Sequence, residues 1–156
     1  MISKNSRILV TGACGSVGSE LVKKLLGDQH IVCAFDQSED GLFKLDQEFN
    51  STYGTNLKLF VGSIRDEHRL SLAFEGVDVV FHCAALKHVY LSEYNPFEAM
   101  QTNILGVNNI INAAIKTNVQ RVVFTSSDKA VNPSSTMRAT KLLGERLMTA
   151  ANHYMG

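Results

Sequence analysis

Short, nearly continuous apolar runs alternate with longer amphipathic stretches along the chain. The apolar runs are rich in valine, isoleucine and phenylalanine and predict β-strands at residues 7–12, 30–36, 57–62, 77–85 and 121–127. The stretches that follow them predict helices at residues 17–27, 39–53, 66–75, 94–117 and 137–154. Because strands and helices alternate, and because the strands are apolar on both faces, we expect an α/β fold with a parallel sheet covered by helices on both sides.

The composition is that of one globular domain. The chain has 156 residues, enough to bury a core, and its 15 basic and 15 acidic residues cancel, so a nucleic-acid partner is not expected. No apolar run approaches the roughly 20 residues of a membrane span, and the N-terminus lacks a signal-peptide core, so we expect a cytoplasmic chain. The three cysteines have no CxxC spacing and are expected to be reduced thiols, and no metal site is predicted.

The segment VTGACGSVGSEL joins the first predicted strand to the first predicted helix. Gly12, Gly15 and Gly18 form a GxxGxxG pattern, which is a relative of the dinucleotide-binding GxGxxG pattern. One glycine makes a tight turn, one lets the backbone approach a diphosphate, and one lets the helix pack closely on the strand. In this strand–turn–helix context the pattern predicts a Rossmann-like, doubly wound sheet of five strands that binds a dinucleotide, with Ser16 and Val17 at the helix start.

Asp36 ends the second predicted strand. An acidic residue at that position can accept hydrogen bonds from both ribose hydroxyls of NAD. A carboxylate there would repel the 2′-phosphate of NADP, and no arginine follows directly in FDQSED, so NAD is favoured over NADP. The alternative is that Asp36 is only a helix cap or a loop residue.

Two further loops are expected to contact the cofactor. In GSIRD, after the third predicted strand, Asp66 can contact the adenine amino group, cap the next helix, or do both, and Ile64 is assigned to the same site. Ala84 and Ala85 follow the fourth strand, and their small side chains would let the backbone pass close to the cofactor. A sheet corner that needs small side chains is the alternative for these alanines.

The segment TSSDK follows the fifth predicted strand, and Lys141 lies on the last predicted helix. The reactive site of a doubly wound sheet lies at the carboxyl ends of its strands, so Ser127, Asp128, Lys129 and Lys141 are expected to converge. An acid beside an amine supplies a proton donor and a base if burial moves both pKa values toward neutrality. Judged alone, a Ser/Asp turn followed by a surface lysine is an equal alternative.

Several stretches resemble the extended short-chain dehydrogenase/reductase superfamily, and within it the UDP-N-acetylglucosamine 4,6-dehydratases of bacterial polysaccharide and glycan biosynthesis. They are TGACGSVGSEL, FDQSED, GSIRD, FHCAALKHV, NPFEAMQTNILGVNNIINAA and SSDKAVNP…M..TK, of which AALKHV and SDKAVNP are the most specific. Met137 stands where the superfamily usually has tyrosine, and several members of this group carry methionine there. Members continue into further strands and a C-terminal substrate domain, so we expect residues 1–156 to be one dinucleotide-binding domain that is truncated before it.

The resemblance implies an NAD-dependent lyase that converts UDP-N-acetylglucosamine into a UDP-4-keto-6-deoxy sugar. It implies that Lys129 removes the C5 proton, that Asp128 protonates the departing C6 hydroxyl, and that Ser127 hydrogen-bonds the C4 oxygen. Lys141 would bind the nicotinamide ribose and polarise the site of proton transfer. Lys87 and His88 would lie near the substrate or cofactor phosphates, and Asn103 is assigned with them to substrate binding. A surface or core role is an equal alternative for His88.

Two residues depart from the family pattern. Tyr90 stands where the family often has proline, and Arg138 stands where glycine is common and would add bulk and charge near the site. A nucleotide-sugar 4-epimerase is one alternative function, disfavoured because epimerases need no Asp-Lys pair and usually rely on the missing tyrosine. A non-catalytic NAD-binding module is the other. We also expect a UDP-sugar partner, association into a homo-oligomer through the exposed sheet edge, and no turnover by this chain alone.

Overall fold

The computed structural model describes residues 2–126 and 134–154, and its centre is a parallel sheet. The strands are β1 (Arg7–Thr11), β2 (Ile31–Asp36), β3 (Leu57–Val61), β4 (Val79–His82) and β5 (Arg121–Phe124). They lie in the order β3-β2-β1-β4-β5, and every neighbouring pair is parallel. The chain therefore winds outward in both directions from β1, and the predicted Rossmann-like, doubly wound sheet of five strands is confirmed.

Helices cover both faces of the sheet. They are α1 (Ser16–Gly27), α2 (Glu39–Tyr53), α3 (Glu67–Ala73), α4 (Val89–Tyr94), α5 (Pro96–Met100), α6 (Gly106–Lys116) and α7 (Thr136–Tyr154). A 3₁₀ turn at Gly54–Asn56 precedes β3, and a π-helical turn at Gln101–Leu105 joins α5 to α6. The predicted helix 94–117 therefore contains three segments, and α4 before it was not predicted.

The break between α4 and α5 has a local cause. Asn95 has φ −130° and ψ 59°, which is outside the helical region, because the ring of Pro96 disfavours helical geometry in the residue before it. Proline is well suited to the first turn of a helix, where its missing N–H would have no partner in any case. Pro96 accordingly opens α5.

The sheet buries one apolar cluster on each face. Successive side chains of β1 alternate between the two, with Ile8 and Val10 on one face, Leu9 on the other, and all three fully buried. The first cluster includes side chains of α1 and α2, and the second includes side chains of α3 and α6. Burial on both sides holds the central strands rigidly, so their carboxyl ends form a firm base for a ligand site.

The edges of the described sheet are less protected than its centre. On β3, Leu59 and Val61 are exposed, and on β5 Val123 is exposed. Association through such an edge stays a prediction. None of the helices in residues 2–126 and 134–154 is long and apolar enough to cross a membrane.

Candidate functional site

A cleft of about 910 Å³ opens at the carboxyl ends of β1 and β4. The strand order reverses between these two strands, and ligands of doubly wound sheets bind in the crevice at that point. The cleft gathers most of the residues that the sequence assigned to a cofactor site, namely Gly12, Gly15, Ser16, Val17, Gly18, Asp36, Ile64, Ala84, Ala85 and Lys141. It is also lined by Lys87, which was assigned to substrate binding, and by Met137, which was assigned to the catalytic set. The structure therefore brings these distant segments together.

The turn between β1 and α1 requires glycine for two separate reasons. Gly12 has φ +65°, a left-handed conformation, and a Cβ there would lie 2.7 Å from the backbone nitrogen of Ala84. A Cβ on Gly18 would collide with the carbonyl oxygen of Gly12. The N-cap of α1 is Gly15, which has no side chain to cap the helix, so the first N–H groups of α1 stay available to an anion in the cleft.

Asp36 joins this turn to the start of α2. Its Oδ2 accepts a hydrogen bond from the Cys14 N–H at 3.0 Å, and its Oδ1 accepts one from the Ser38 N–H at 2.9 Å. The N-cap of α2 is Ser38, whose Oγ accepts from the Gly41 N–H at 3.1 Å, so the alternative that Asp36 caps the helix is wrong. Each carboxylate oxygen still has a lone pair for a ligand hydroxyl, and the ribose contact stays a prediction.

The loop after β3 places one of its two predicted residues, Ile64, at the cleft. Asp66 is the N-cap of α3, where its Oδ1 accepts from the Arg69 N–H at 2.9 Å, so the capping alternative is confirmed. The cleft is lined by Ser63 and Ile64, and Asp66 is not among its lining residues. Sequence reasoning missed Ser63, although its place directly after the third strand was a usable signal. An adenine contact by Asp66 stays a prediction.

Two neighbouring helices anchor this loop. The side-chain amide of Asn109 on α6 donates to the carbonyl oxygens of Ile64 at 3.1 Å and Arg65 at 3.0 Å. The Arg65 guanidinium donates to Thr102 Oγ1 at 3.0 and 2.8 Å and forms a salt bridge with Glu98. The wall of the cleft beside Ile64 is therefore fixed by several hydrogen bonds.

Lys141 reaches the floor of the cleft from α7. Its Nζ donates to the Thr125 carbonyl oxygen at 3.1 Å and lies 4.7 Å from the centroid of the Phe124 ring. Burial lowers the pKa of Lys141 below its ordinary value, while Cys83 and Glu145 act in the opposite direction. A surface lysine, the alternative that the sequence left open, is therefore wrong, because Lys141 is only 8% exposed.

Met137 stands one helical turn before Lys141 on the same face of α7. It lines the cleft and is 3% exposed. The other three residues predicted to be catalytic, Ser127, Asp128 and Lys129, lie outside the described residues. Ser126, the residue directly before Ser127, lines the cleft. Its Oγ donates to Glu145 Oε2 on α7 at 2.9 Å.

His82, at the end of β4, was not singled out in the sequence. Its Nδ1 is 2.7 Å from Thr11 Oγ1, and its ring centroid is 5.5 Å from that of Phe124, which also contacts Lys141. Complete burial, with the Lys141 charge as a smaller cause, lowers the pKa of His82 to about 3. The neutral imidazole of His82 therefore contacts both Thr11, which directly precedes Gly12, and Phe124, whose ring lies next to Lys141.

Asn103 sits on the π-helical turn and is buried. Its side chain accepts from the Leu86 N–H at 2.9 Å and donates to the Leu86 carbonyl at 2.9 Å and to Thr140 Oγ1 at 3.1 Å. It therefore holds the loop after β4 against α7, while its predicted contact with substrate stays a prediction. Lys87 is exposed and lines the cleft. His88 is exposed and is not among the lining residues, so the alternative that His88 belongs to the core is wrong.

The two departures from the family pattern lie away from the cleft. Tyr90 is 70% exposed on α4 and does not line it. The Arg138 guanidinium turns back along α7, where its Nη1 donates to Ser134 Oγ at 3.1 Å. Arg138 is not among the residues that line the described cleft, and the expectation that it adds bulk and charge near the site stays a prediction.

Comparisons with known proteins agree with this geometry. The family described as "Polysaccharide biosynthesis protein" matches residues 8–156. An uncharacterized membrane protein of Methanocaldococcus jannaschii is 50% identical over 154 residues, covering 98% of this chain and 45% of its own length. A UDP-N-acetylglucosamine 4,6-dehydratase (inverting) of Campylobacter jejuni is 40% identical over 151 residues, covering 96% of this chain and 44% of its own length.

Solved structures share the fold. Pen from Bacillus thuringiensis superposes with a TM-score of 0.96 at 42% identity, over 100% of this chain and 48% of its own. A dTDP-glucose 4,6-dehydratase of Streptomyces venezuelae, solved with NAD bound, superposes with a TM-score of 0.83 at 26% identity, over 94% of this chain and 52% of its own. The chain thus spans about half the length of the proteins that it matches.

Proposed function

The chain belongs to the polysaccharide biosynthesis protein family, and from that premise we propose that it forms the NAD-binding half of a nucleotide-sugar 4,6-dehydratase. The observation that carries the proposal is the cleft, which joins the glycine turn, Asp36, Met137 and Lys141 at the reversal of strand order. The 40% identity to a UDP-N-acetylglucosamine 4,6-dehydratase supports the choice of substrate class. Because the chain spans about half of that relative, turnover is proposed for the complete protein.

The residues present fit a dinucleotide. The diphosphate would rest on the first N–H groups of α1, where the helix dipole favours an anion. Asp36 would accept hydrogen bonds from the adenosine ribose and repel a 2′-phosphate, which favours NAD over NADP. Ala84 and Ala85 would border the cofactor, and Lys141 would bind the nicotinamide ribose.

Bound NAD would supply a reversible hydride acceptor, so that a hydride leaves C4 of the sugar and returns to C6 without net change in the cofactor. A ketone at C4 makes the C5 proton acidic, and Lys129 would remove it. Asp128 would give a proton to the departing C6 hydroxyl, which leaves as water, and Ser127 would hydrogen-bond the C4 oxygen. As the hydride returns to C6, a proton returns to C5, so the net change is the loss of one water and the product is a 4-keto-6-deoxy sugar.

Because Met137 stands at the usual tyrosine position, the proton of the C4 hydroxyl needs another acceptor. A thioether is a weak hydrogen-bond acceptor and has no proton to give, so it cannot relay the proton of the C4 hydroxyl. That proton would go to Asp128, to Lys129, or to a water held by Ser127. Lys141 would support this transfer as a positive charge near the reacting sugar, since a nearby cation favours the deprotonated form of the C4 oxygen.

The test is conversion of UDP-N-acetylglucosamine by the complete protein, followed by mass spectrometry. The proposal requires a product lighter by one water, with no accumulation of reduced cofactor. Replacement Lys129→Ala should abolish exchange of the C5 proton with solvent. An epimer of unchanged mass would instead indicate a 4-epimerase, and NAD binding without conversion would indicate a non-catalytic module.

A further inference from the structure

The N-terminus of α7 is held by a residue from a distant helix. Glu93, exposed on α4, accepts a hydrogen bond from the Thr136 N–H at its Oε1 (2.7 Å) and one from the Thr136 hydroxyl at its Oε2 (3.1 Å). Thr136 is the first residue of α7, which carries Met137 and Lys141. Both oxygens of one carboxylate are thus engaged by a single residue, 43 positions away in sequence.

This contact differs from an ordinary helix cap. Ser135 already acts as the local cap, since its Oγ accepts from the Arg138 N–H at 3.3 Å. Glu93 satisfies a different N–H group and places a negative charge at the positive end of the α7 dipole. A carboxylate from another element also fixes where the helix begins relative to α4, which a local cap cannot do.

In the sequence, the same contact follows the segment that carries Ser127, Asp128 and Lys129. That segment joins Ser126 to Ser134 in the sequence. At one end, the hydroxyl of Ser126 is bonded to Glu145, and shortly after the other end Thr136 is bonded to Glu93. Two carboxylates therefore anchor the chain on either side of the predicted proton-transfer residues.

The position of α4 ties this anchor to the cleft. The helix begins directly after Lys87 and His88, and it packs against both α5 and α7. Ser92, which is 2% exposed, fixes α4 internally by donating from its Oγ to the His88 carbonyl oxygen at 2.9 Å. A shift of α4 would move the wall of the cleft and the start of α7 together.

We infer that Glu93 is a positioning residue that sets the place of Met137 relative to the cleft. This inference rests on the proposed function for its kinetic consequence, but its structural consequence can be measured in the present chain. Loss of the carboxylate should release the first turn of α7 from α4. The glycine turn and Asp36, which lie on other elements, should keep their arrangement and hence their affinity for NAD.

The structural test uses the chain labelled with ¹³C at the methionine methyl groups, with Met137→Leu to assign the Met137 signal. In Glu93→Ala the Met137 methyl resonance should shift, and exchange of the Thr136 amide proton should accelerate about fivefold, as expected for loss of a cap worth about 1 kcal/mol. Glu93→Gln keeps the shape and one acceptor oxygen, and it should change both readings in the same direction by a smaller amount. It replaces the alanine variant if that variant folds poorly. Glu75→Gln, which removes an exposed carboxylate elsewhere, should leave both readings unchanged.

A second substitution separates positioning from capping. Adding Ser135→Asp to Glu93→Ala supplies a strong local cap with a negative charge. We expect this double variant to recover the thermal unfolding midpoint while its Met137 resonance stays displaced. Recovery of the resonance as well would show that Glu93 only caps the helix, and an unshifted resonance in Glu93→Ala and Glu93→Gln would overturn the inference directly.

In the complete protein, Glu93→Ala should lower kcat about fivefold while the Kd of NAD changes less than about twofold. The double variant with Ser135→Asp should keep the low kcat. A full return of kcat in the double variant would overturn the inference. A wild-type protein that performs no dehydration would overturn the proposed function alone, because the Met137 resonance still decides the role of Glu93.

Discussion

Acid should destabilise this chain through His82. The imidazole is fully buried, and its pKa is lowered from 6.5 to about 3 in the folded chain. The unfolded chain therefore binds this proton more readily than the folded chain at every pH between the two values, so the free energy of unfolding falls as the pH is lowered through that window. The contribution is complete above the unfolded pKa and is progressively lost below it.

The magnitude follows from the two pKa values. Lowering the pH from about 7.5 to about 5.0 protonates His82 in the unfolded chain but hardly at all in the folded one, which costs about 2 kcal/mol. Because about pH 5.0 lies well above the folded pKa, this figure depends mainly on the ordinary pKa of an exposed histidine.

The assay is urea unfolding at both pH values for the wild type and for His82→Asn. Asparagine offers a polar atom near the position of Nδ1, so it can keep a hydrogen bond to Thr11, but it does not titrate. The wild type should lose about 2 kcal/mol more than the variant between the two pH values, and the exposed His68→Asn should behave as the wild type does. Equal pH dependence in the wild type and His82→Asn would refute the reasoning, whatever the variant's stability at neutral pH.

Other substitutions test separate parts of the site. Asp36→Ala should weaken NAD binding by roughly 1.5–3 kcal/mol for each lost hydrogen bond to the carboxylate, measured by calorimetry, and an unchanged affinity would leave Asp36 with a loop role alone. Gly12→Ala should abolish NAD binding and lower the unfolding midpoint, because the residue has φ +65° and its Cβ would collide with the backbone of Ala84. Wild-type affinity for NAD in this variant would contradict the requirement for glycine at this position. Asn103→Ala should lower the free energy of unfolding by roughly 1–3 kcal/mol in urea, since the partly buried N–H and carbonyl groups of Leu86 lose their partner, and a neutral effect would contradict its bridging role.

The pattern of apolar residues was sufficient for the sheet. All five strands lie within or near the predicted ranges, because strands buried on both faces leave a continuous apolar signal. The glycine turn was also predictable, since its spacing reflects backbone geometry that is local to the chain. These features depend on residues close together in sequence.

The remaining parts of the site depend on contacts between distant residues. Asp66 was a candidate for the cofactor, yet the turn after β3 directs Ser63 to the cleft and leaves Asp66 to cap α3. In the sequence, His82 lies within a predicted apolar strand, and only the pairing of β4 with β1 places it against Thr11. Nothing near Glu93 in the sequence indicates that it meets Thr136.

The most direct test of the central claim is calorimetric titration of this chain with NAD and, separately, with NADP. We expect saturable binding of one NAD per chain and weaker binding of NADP, because Asp36 would accept hydrogen bonds at the ribose and repel a phosphate there. Absence of NAD binding to a folded chain, or tighter binding of NADP than of NAD, would contradict it.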